Sequence, residues 1–281
     1  MIWFCADDYG LNEASSVRIL ECVRKGALNK VSVFPNLGRV ELQPLWEVPN
    51  LRVSLHLNLV EGCCMAETEA VGLLADQNGA FRHTFGGLFL QSLLHPKQLE
   101  EQLFREIRAQ VRFWKQALPQ GVPFCIDSHQ HTHMIPAVWN ALVRVLREER
   151  IRPDYIRIPA EPILPYLKAP TAFHPINLVK QWLLKGLWGI NRKRGEQFPT
   201  ACFFGILFSG KMDEKRVQRV LPHYETIAEN QQMDLEVLFH PGYLEDEAFG
   251  DKHIVFIPFY RSKNRKTEFD AVNKLSERRG L

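Results

Sequence analysis

Phe124-Cys125-Ile126-Asp127-Ser128-His129-Gln130-His131-Thr132-His133 is the stretch on which the fold reading turns. Apolar, strand-forming residues run through Ile126 and then give way to an acid and three imidazoles. Pro136 follows almost at once and opens a helix carrying Trp139, Leu142, Val143 and Leu146 at helical spacing. A strand that ends in polar side chains and turns directly into a helix is the junction of a parallel βαβ unit.

The same punctuation recurs along the chain. Ile2 to Asp8 is an apolar run ending in acids, followed by a helix started at Asn12 or Ser15. Val31–Phe34 and Val53–Leu59 read as strands. Pro96 opens a long charged helix to about Leu118, with Leu99, Leu103, Ile107, Val111 and Trp114 on one face. Tyr155–Ile158, Phe203–Phe208 and Leu235–Phe239 supply further strands. Alternation of this kind predicts an α/β fold with parallel strands and outer helices, in one domain over 1–281.

The polar residues decide where the chemistry sits. Asp7 and Asp8, His56, His129 and His240 each fall at the C-terminal end of an expected strand. In parallel sheets, and most of all in barrels, that edge holds the site. Packing needs no such convergence of four strands.

Composition narrows the classes. The 281 residues are 46% hydrophobic and 24% charged, which excludes intrinsic disorder. With 35 basic against 32 acidic residues, the net charge of +3 argues against a dedicated nucleic-acid binder. The opening Met1-Ile2-Trp3-Phe4 has no basic n-region or small-residue cleavage site, and no apolar run reaches membrane-spanning length. Six scattered cysteines without a CxxC pair suggest reduced thiols. Together these lead us to expect a cytoplasmic protein, with a homodimer as the default assembly.

Each candidate also has a plainer reading. Asp7-Asp8 equally suits a helix N-cap; two acids reach one pocket only where the strand ends, and Tyr9-Gly10 supplies that turn. His56 shares a strand face with Asn58, and alone it reads as a core histidine. His129, His131 and His133, spaced by two, share a face if extended, and imidazole is the commonest metal ligand; the alternative is a solvated cluster. His240-Pro241-Gly242 is a tight turn whose imidazole overhangs a pocket, and Arg157 orients a carboxylate or pairs on the surface. Residues 174–194 interleave Leu, Val and two tryptophans with Lys and Arg, which suits a helix lying on a membrane. Docking on the barrel core is the preferred reading of that segment.

The ordered set of motifs resembles the YdjC-like carbohydrate deacetylases. Ala6-Asp7-Asp8-Tyr9-Gly10, Ser54-Leu55-His56-Leu57-Asn58-Leu59 with Glu61-Gly62, Asp127 to His133, and His240-Pro241 are similar to that family's motifs, in order. Arg157-Ile158-Pro159 and the Phe204-Gly205 region also have counterparts. Tyr9 stands where phenylalanine is usual, and the chain after Glu268-Phe269-Asp270-Ala271-Val272 looks short, so a different closure of the barrel is expected.

The resemblance implies a distorted (β/α) barrel of the polysaccharide-deacetylase type and metal-dependent removal of an N-acetyl group from an amino sugar. It assigns Asp8, His56 and His129 to one divalent ion, Mg2+ or Zn2+. Asp7 becomes the general base, His240 the general acid, and Arg157 the residue that orients Asp7. Asn58, Asp127, His131, His133 and Tyr9 are then supporting or substrate-contacting residues. The loop from 63 to 95 is expected to cover the substrate, with Phe81, Phe85 and Phe89 to stack on sugar rings. A metal-dependent phosphoesterase and a non-catalytic sugar or glycolipid binder at a membrane are the rival readings.

Overall fold

A computed structural model of the protein describes residues 1–38, 40–168, 174–194, 197–245 and 254–279. Among the described residues seven strands form one sheet: β1 (Ile2–Tyr9), β2 (Lys30–Val33), β3 (Arg52–Leu57), β4 (Cys125–Ser128), β5 (Tyr155–Ile156), β6 (Cys202–Phe204) and β7 (Leu235–Phe239). The order is β5-β4-β3-β2-β1-β7-β6, and every pairing is parallel. Between the two edges the Ile156 N–H donates to the Pro199 carbonyl at 2.9 Å, and the Trp3 and Tyr155 rings meet at 5.0 Å across the interior. The sheet is therefore curled into a distorted barrel.

Strand periodicity sorts two cores. Val31, Val33, Val53, Leu55, Ile126 and Ile156 are buried in the main apolar core beneath the helices. The Pro96–Ala117 helix buries Leu99, Leu103, Ile107, Val111 and Trp114, and the Pro136–Glu148 helix buries Trp139, Leu142 and Leu146. Each such burial contributes about 1.5–3 kcal/mol, enough to set register by face. The alternate positions point into the barrel and are largely charged: Asp7, Lys30, Asp127, Arg157 and Glu236 are all buried there. The barrel interior is thus an ionic cluster wrapped in an apolar shell.

Several elements are shorter than the sequence reading. The expected strand over 203–208 stops at Phe204, because Gly205 takes φ +150° and gives its N–H to Glu161 Oε1 at 2.8 Å. The strand at 155–158 stops at Ile156. The first helix is Glu13–Arg24, with Asn12 capping the Ser15 N–H.

The 63–95 segment is more ordered than a loop. It holds a 3-10 turn at Thr68–Ala70, bridges joining Cys63 to Ala80 and Ala75 to Phe81, and the Phe85–Leu94 helix. Glu106 anchors it by accepting from the Met65 and Ala66 backbone N–H groups at 2.9 and 2.8 Å. Phe81 is buried in the main core and Phe89 packs against it, so of the three aromatics only Phe85 lines the cavity described below.

The closing helix, Lys263–Arg279, packs on the Glu13–Arg24 and Glu214–Asn230 helices and carries side chains back to the barrel mouth. Among the described residues no helix is long and apolar enough to cross a membrane.

Candidate active site

The acid doublet reaches one pocket by a backbone device. Asp7 points inward in ordinary strand alternation, and Asp8 then takes φ +73°, shifting the register between Ala6 and Tyr9. The bulge at Asp8, rather than the Tyr9-Gly10 turn, aims both carboxylates at the same edge. Positive φ in a non-glycine residue costs of order 1–3 kcal/mol and persists here inside a well-packed strand end.

Asp8 Oδ1 lies 3.6 Å from His56 Nε2 and 3.4 Å from His129 Nδ1. The three ligand atoms fall within 4.8 Å of one another. Ligands about 2.0–2.2 Å from a common ion sit about 3–3.5 Å apart, so these spacings suit a coordination sphere. Asp8 Oδ1 and His56 Nε2 are also buried atoms without a hydrogen-bond partner, as atoms awaiting a cation would be.

The supporting contacts fix the donor atoms. His56 Nδ1 is 2.6 Å from Asp127 Oδ1, which places the proton on Nδ1 and leaves the Nε2 lone pair facing Asp8. His129 Nε2 meets the Tyr260 hydroxyl at 3.1 Å, leaving Nδ1 for the cluster. Arg265 Nη1 donates to Asp8 Oδ2 at 2.9 Å, so Asp8 presents only Oδ1. A second triad of Asp7, His56 and Asp127 also lies within ligand range, but its contacts are spent on the Asp127–His56 bond and on Arg157.

Asp7 is held by a two-point clamp. Arg157 Nη1 and Nη2 donate to its two oxygens at 2.7 and 2.8 Å. Burial alone would raise the Asp7 pKa, but Arg157 and then His56 outweigh it and hold the carboxyl well below the usual range. Asp8 is likewise buried, yet Arg265 and His129 hold it below its ordinary value. For His56, the Asp7 charge and the Asp127 bond overcome desolvation and raise the pKa; for His129 desolvation prevails and lowers it.

Arg157 also reaches Glu236 Oε1 at 2.6 Å, as Lys30 does at 2.8 Å, and Lys30 and Arg157 both approach Asp127. Four carboxylates (Asp7, Asp8, Asp127, Glu236) thus face three cations (Lys30, Arg157, Arg265). With neutral imidazoles the cluster is one negative charge in excess, which favours a cation.

The remaining candidates divide by position. Asp7, His129, His131 and His240 line a cavity of about 730 Å³ with Phe85, Lys180 and Gly205. His240 is 14% exposed at its side chain, edge-on to Phe259, with Nδ1 3.5 Å from Glu268. The histidine triplet is not extended: Gln130 and His131 take φ +52° and +58° in a tight turn, so the three rings diverge. His131 packs on Phe203 at the cavity wall, its pKa held well down by burial and by Lys180. His133 turns inward, accepting from Ser128 Oγ at Nδ1 and donating from Nε2 to the Arg157 carbonyl at 2.8 Å, with its pKa lowered by burial to about 4.

Of the residues expected to support the site or contact substrate, Asn58 and Tyr9 do not line the cavity. The Asn58 side chain is consumed in its own turn, donating to the Glu61 carbonyl and accepting from the Val60 and Glu61 N–H groups. The Tyr9 hydroxyl donates to the Glu41 carbonyl, away from the cavity. Residues that sequence reasoning missed are Lys30, Glu236, Tyr260, Arg265 and Glu268. For the first two a signal existed, since a lone charge sits within an apolar strand run; the last three come from a segment with no local pattern.

Comparison with known proteins agrees with this architecture. A solved structure from Enterococcus faecalis V583, provisionally named a cellobiose-phosphate cleavage protein, superposes with a TM-score of 0.64 at 18% identity, covering 100% of this chain and 95% of that one, and so shares the fold. A carbohydrate deacetylase of Danio rerio is 31% identical over 159 residues, which are 56% of this chain and 49% of that protein. A carbohydrate deacetylase of Clostridium beijerinckii is 23% identical over 97% of this chain and 94% of its own. A chitooligosaccharide deacetylase of Salmonella paratyphi B is 22% identical over 86% and 81%. The family model described as YdjC-like protein matches residues 1–278, and the chain belongs to that family.

Proposed function

We propose that this protein is a carbohydrate deacetylase that hydrolyses the N-acetyl group of an amino sugar, using one divalent ion held by Asp8, His56 and His129. The observation that carries this reading is the pairing of orphaned ligand atoms on Asp8 and His56 with an ionised, Arg157-clamped Asp7 in the same cavity as His240.

A divalent ion bound there supplies Lewis-acid polarisation to the acetamide carbonyl and to water. Asp7, kept ionised by Arg157, accepts the proton of the attacking water. His240 donates a proton to the nitrogen as the C–N bond breaks, giving acetate and a free amine. Glu268, beside His240 Nδ1, supports the protonated imidazole. Phe85 offers a ring to a sugar face. The mixed carboxylate and imidazole set admits zinc or magnesium.

All six cysteines are free, four of them buried, which supports a reducing compartment and a cytoplasmic site of action. A two-metal phosphoesterase is disfavoured, because the second triad shares His56 and its carboxylates are already bonded. The test is acetate release from N-acetylated chito-oligosaccharides by metal-loaded and chelator-stripped protein in parallel. Release by the loaded form alone supports the reading; no release with one ion bound per chain refutes it.

A further inference from the structure

The Pro175–Asn191 helix docks on the barrel through Leu184 and Leu187, yet leaves much of its apolar surface facing outward. Its buried stripe includes Asn177, Gln181 and Asn191, whose amides donate to the carbonyls of Leu207, Glu161 and Met134 at 3.1, 2.6 and 2.8 Å. Its outer face carries Ile176, Val179, Trp182, Leu183 and Ile190 at 41–62% exposure. A water-facing helix normally keeps such residues on its docked face. Ile176, Val179 and Leu183 also line the cavity that holds Asp7 and His240, so the apolar surface continues from outside down to the candidate chemistry. Val255, next in sequence to the cavity-lining Phe256, is a further exposed apolar residue.

We propose, resting on the deacetylase reading, that the amino sugar is carried on a hydrocarbon chain and that the protein takes it from an anionic membrane surface through this face. Three observations favour that occupant. A sugar is polar on its edges and is met by polar lining such as Asp7, His131, Lys180 and His240, whereas Ile176, Val179, Leu183, Ile206 and Phe259 add an apolar wall to the same cavity, which suits an apolar aglycone. A second protein copy could cover the outer face but could not account for the continuous apolar wall leading inward. The segment 174–194 contains no carboxylate, while Lys185, Arg192 and Lys193 are exposed along it, complementary to anionic headgroups. Trp182 on the same face is a residue type favoured at the membrane interface.

The test compares alkyl glycosides of N,N'-diacetylchitobiose from methyl to dodecyl, presented with vesicles of phosphatidylcholine and phosphatidylglycerol, and follows flotation of the metal-loaded protein with the same vesicles. We expect kcat/KM for acetate release to rise at least tenfold from methyl to dodecyl, and the protein to float. In the double variant Trp182→Ser/Ile190→Ser, flotation should be lost and the dodecyl-to-methyl ratio should fall towards one, a ratio that cancels any general loss of activity. Equal release along the series without flotation overturns this inference and leaves the deacetylase reading standing. A shift of the double variant from dimer to monomer, without vesicle binding by the wild type, assigns the face to a second copy and overturns it too. No acetate from any member with the ion bound overturns both readings.

Discussion

Arg157 grips Asp7 through both oxygens, at 2.7 and 2.8 Å, while the same guanidinium reaches Glu236 at 2.6 Å. The base of the proposed reaction is therefore one member of a buried ionic cluster, and its protonation state is set by a partner 150 residues away.

Replacing Arg157 should act on pH dependence before anything else. Arg157 depresses the Asp7 pKa, so the acid limb of kcat/KM lies low in the wild type. Arg157→Lys keeps a charge but loses the planar fork, and the acid limb should move up by about one pH unit or more. Arg157→Ala leaves buried carboxylates uncompensated and should cost about 3–5 kcal/mol in urea unfolding. An unmoved acid limb in the lysine variant would separate Asp7 from the proton transfer.

Asp127 acts through His56. Asp127→Asn retains an acceptor for the Nδ1 proton but weakens the bond at 2.6 Å that orients the ring. Affinity for the divalent ion, measured by isothermal titration calorimetry, should fall about 10–100-fold. Unchanged affinity would mean that His56 is not a ligand.

The buried His133 predicts acid sensitivity of the fold. Its folded pKa, about 4, lies below the unfolded value near 6.5, so only the unfolded chain binds the proton between them. Stability from this residue is full above about pH 6.5 and is lost as pH falls towards 4, amounting to about 2 kcal/mol at pH 5. Urea unfolding in chelator at pH 7.5 and 5.0 should show this loss. His133→Phe should be less stable throughout, yet its loss between the two pH values should be smaller by about that amount.

Gly205 is required by geometry. At φ +150° a Cβ would stand 2.9 Å from Leu238 Cβ and 3.2 Å from the Leu238 carbonyl. Gly205→Ala should destabilise the protein by about 1–3 kcal/mol and disturb the cavity wall, which a thermal melt and substrate KM would both register.

The strand ends were readable in the sequence because local alternation and the βα junction are local properties. Asp7, Asp8, His56 and His129 converge as the strand-edge argument expects, and Leu235–Phe239 has the predicted bounds. What failed was conformational. The spacing of His129, His131 and His133 implies one face only if the backbone is extended, and the left-handed turn at Gln130 and His131 removes that condition. Arg265 and Tyr260 were not legible, since contacts 257 and 131 residues apart leave no periodic trace. Residues 174–194 show the limit most clearly: the apolar and basic pattern predicts a helix, but not that Asn177 and Gln181 turn inward while Trp182 turns out.

The central claim is tested most directly by Asp7→Asn, followed for ion binding and for acetate release on one preparation. The account predicts one divalent ion bound with affinity close to wild type, since Asp8, His56 and His129 are intact, and acetate release reduced at least about 100-fold through loss of the base. Release at the wild-type rate with the ion bound would contradict it.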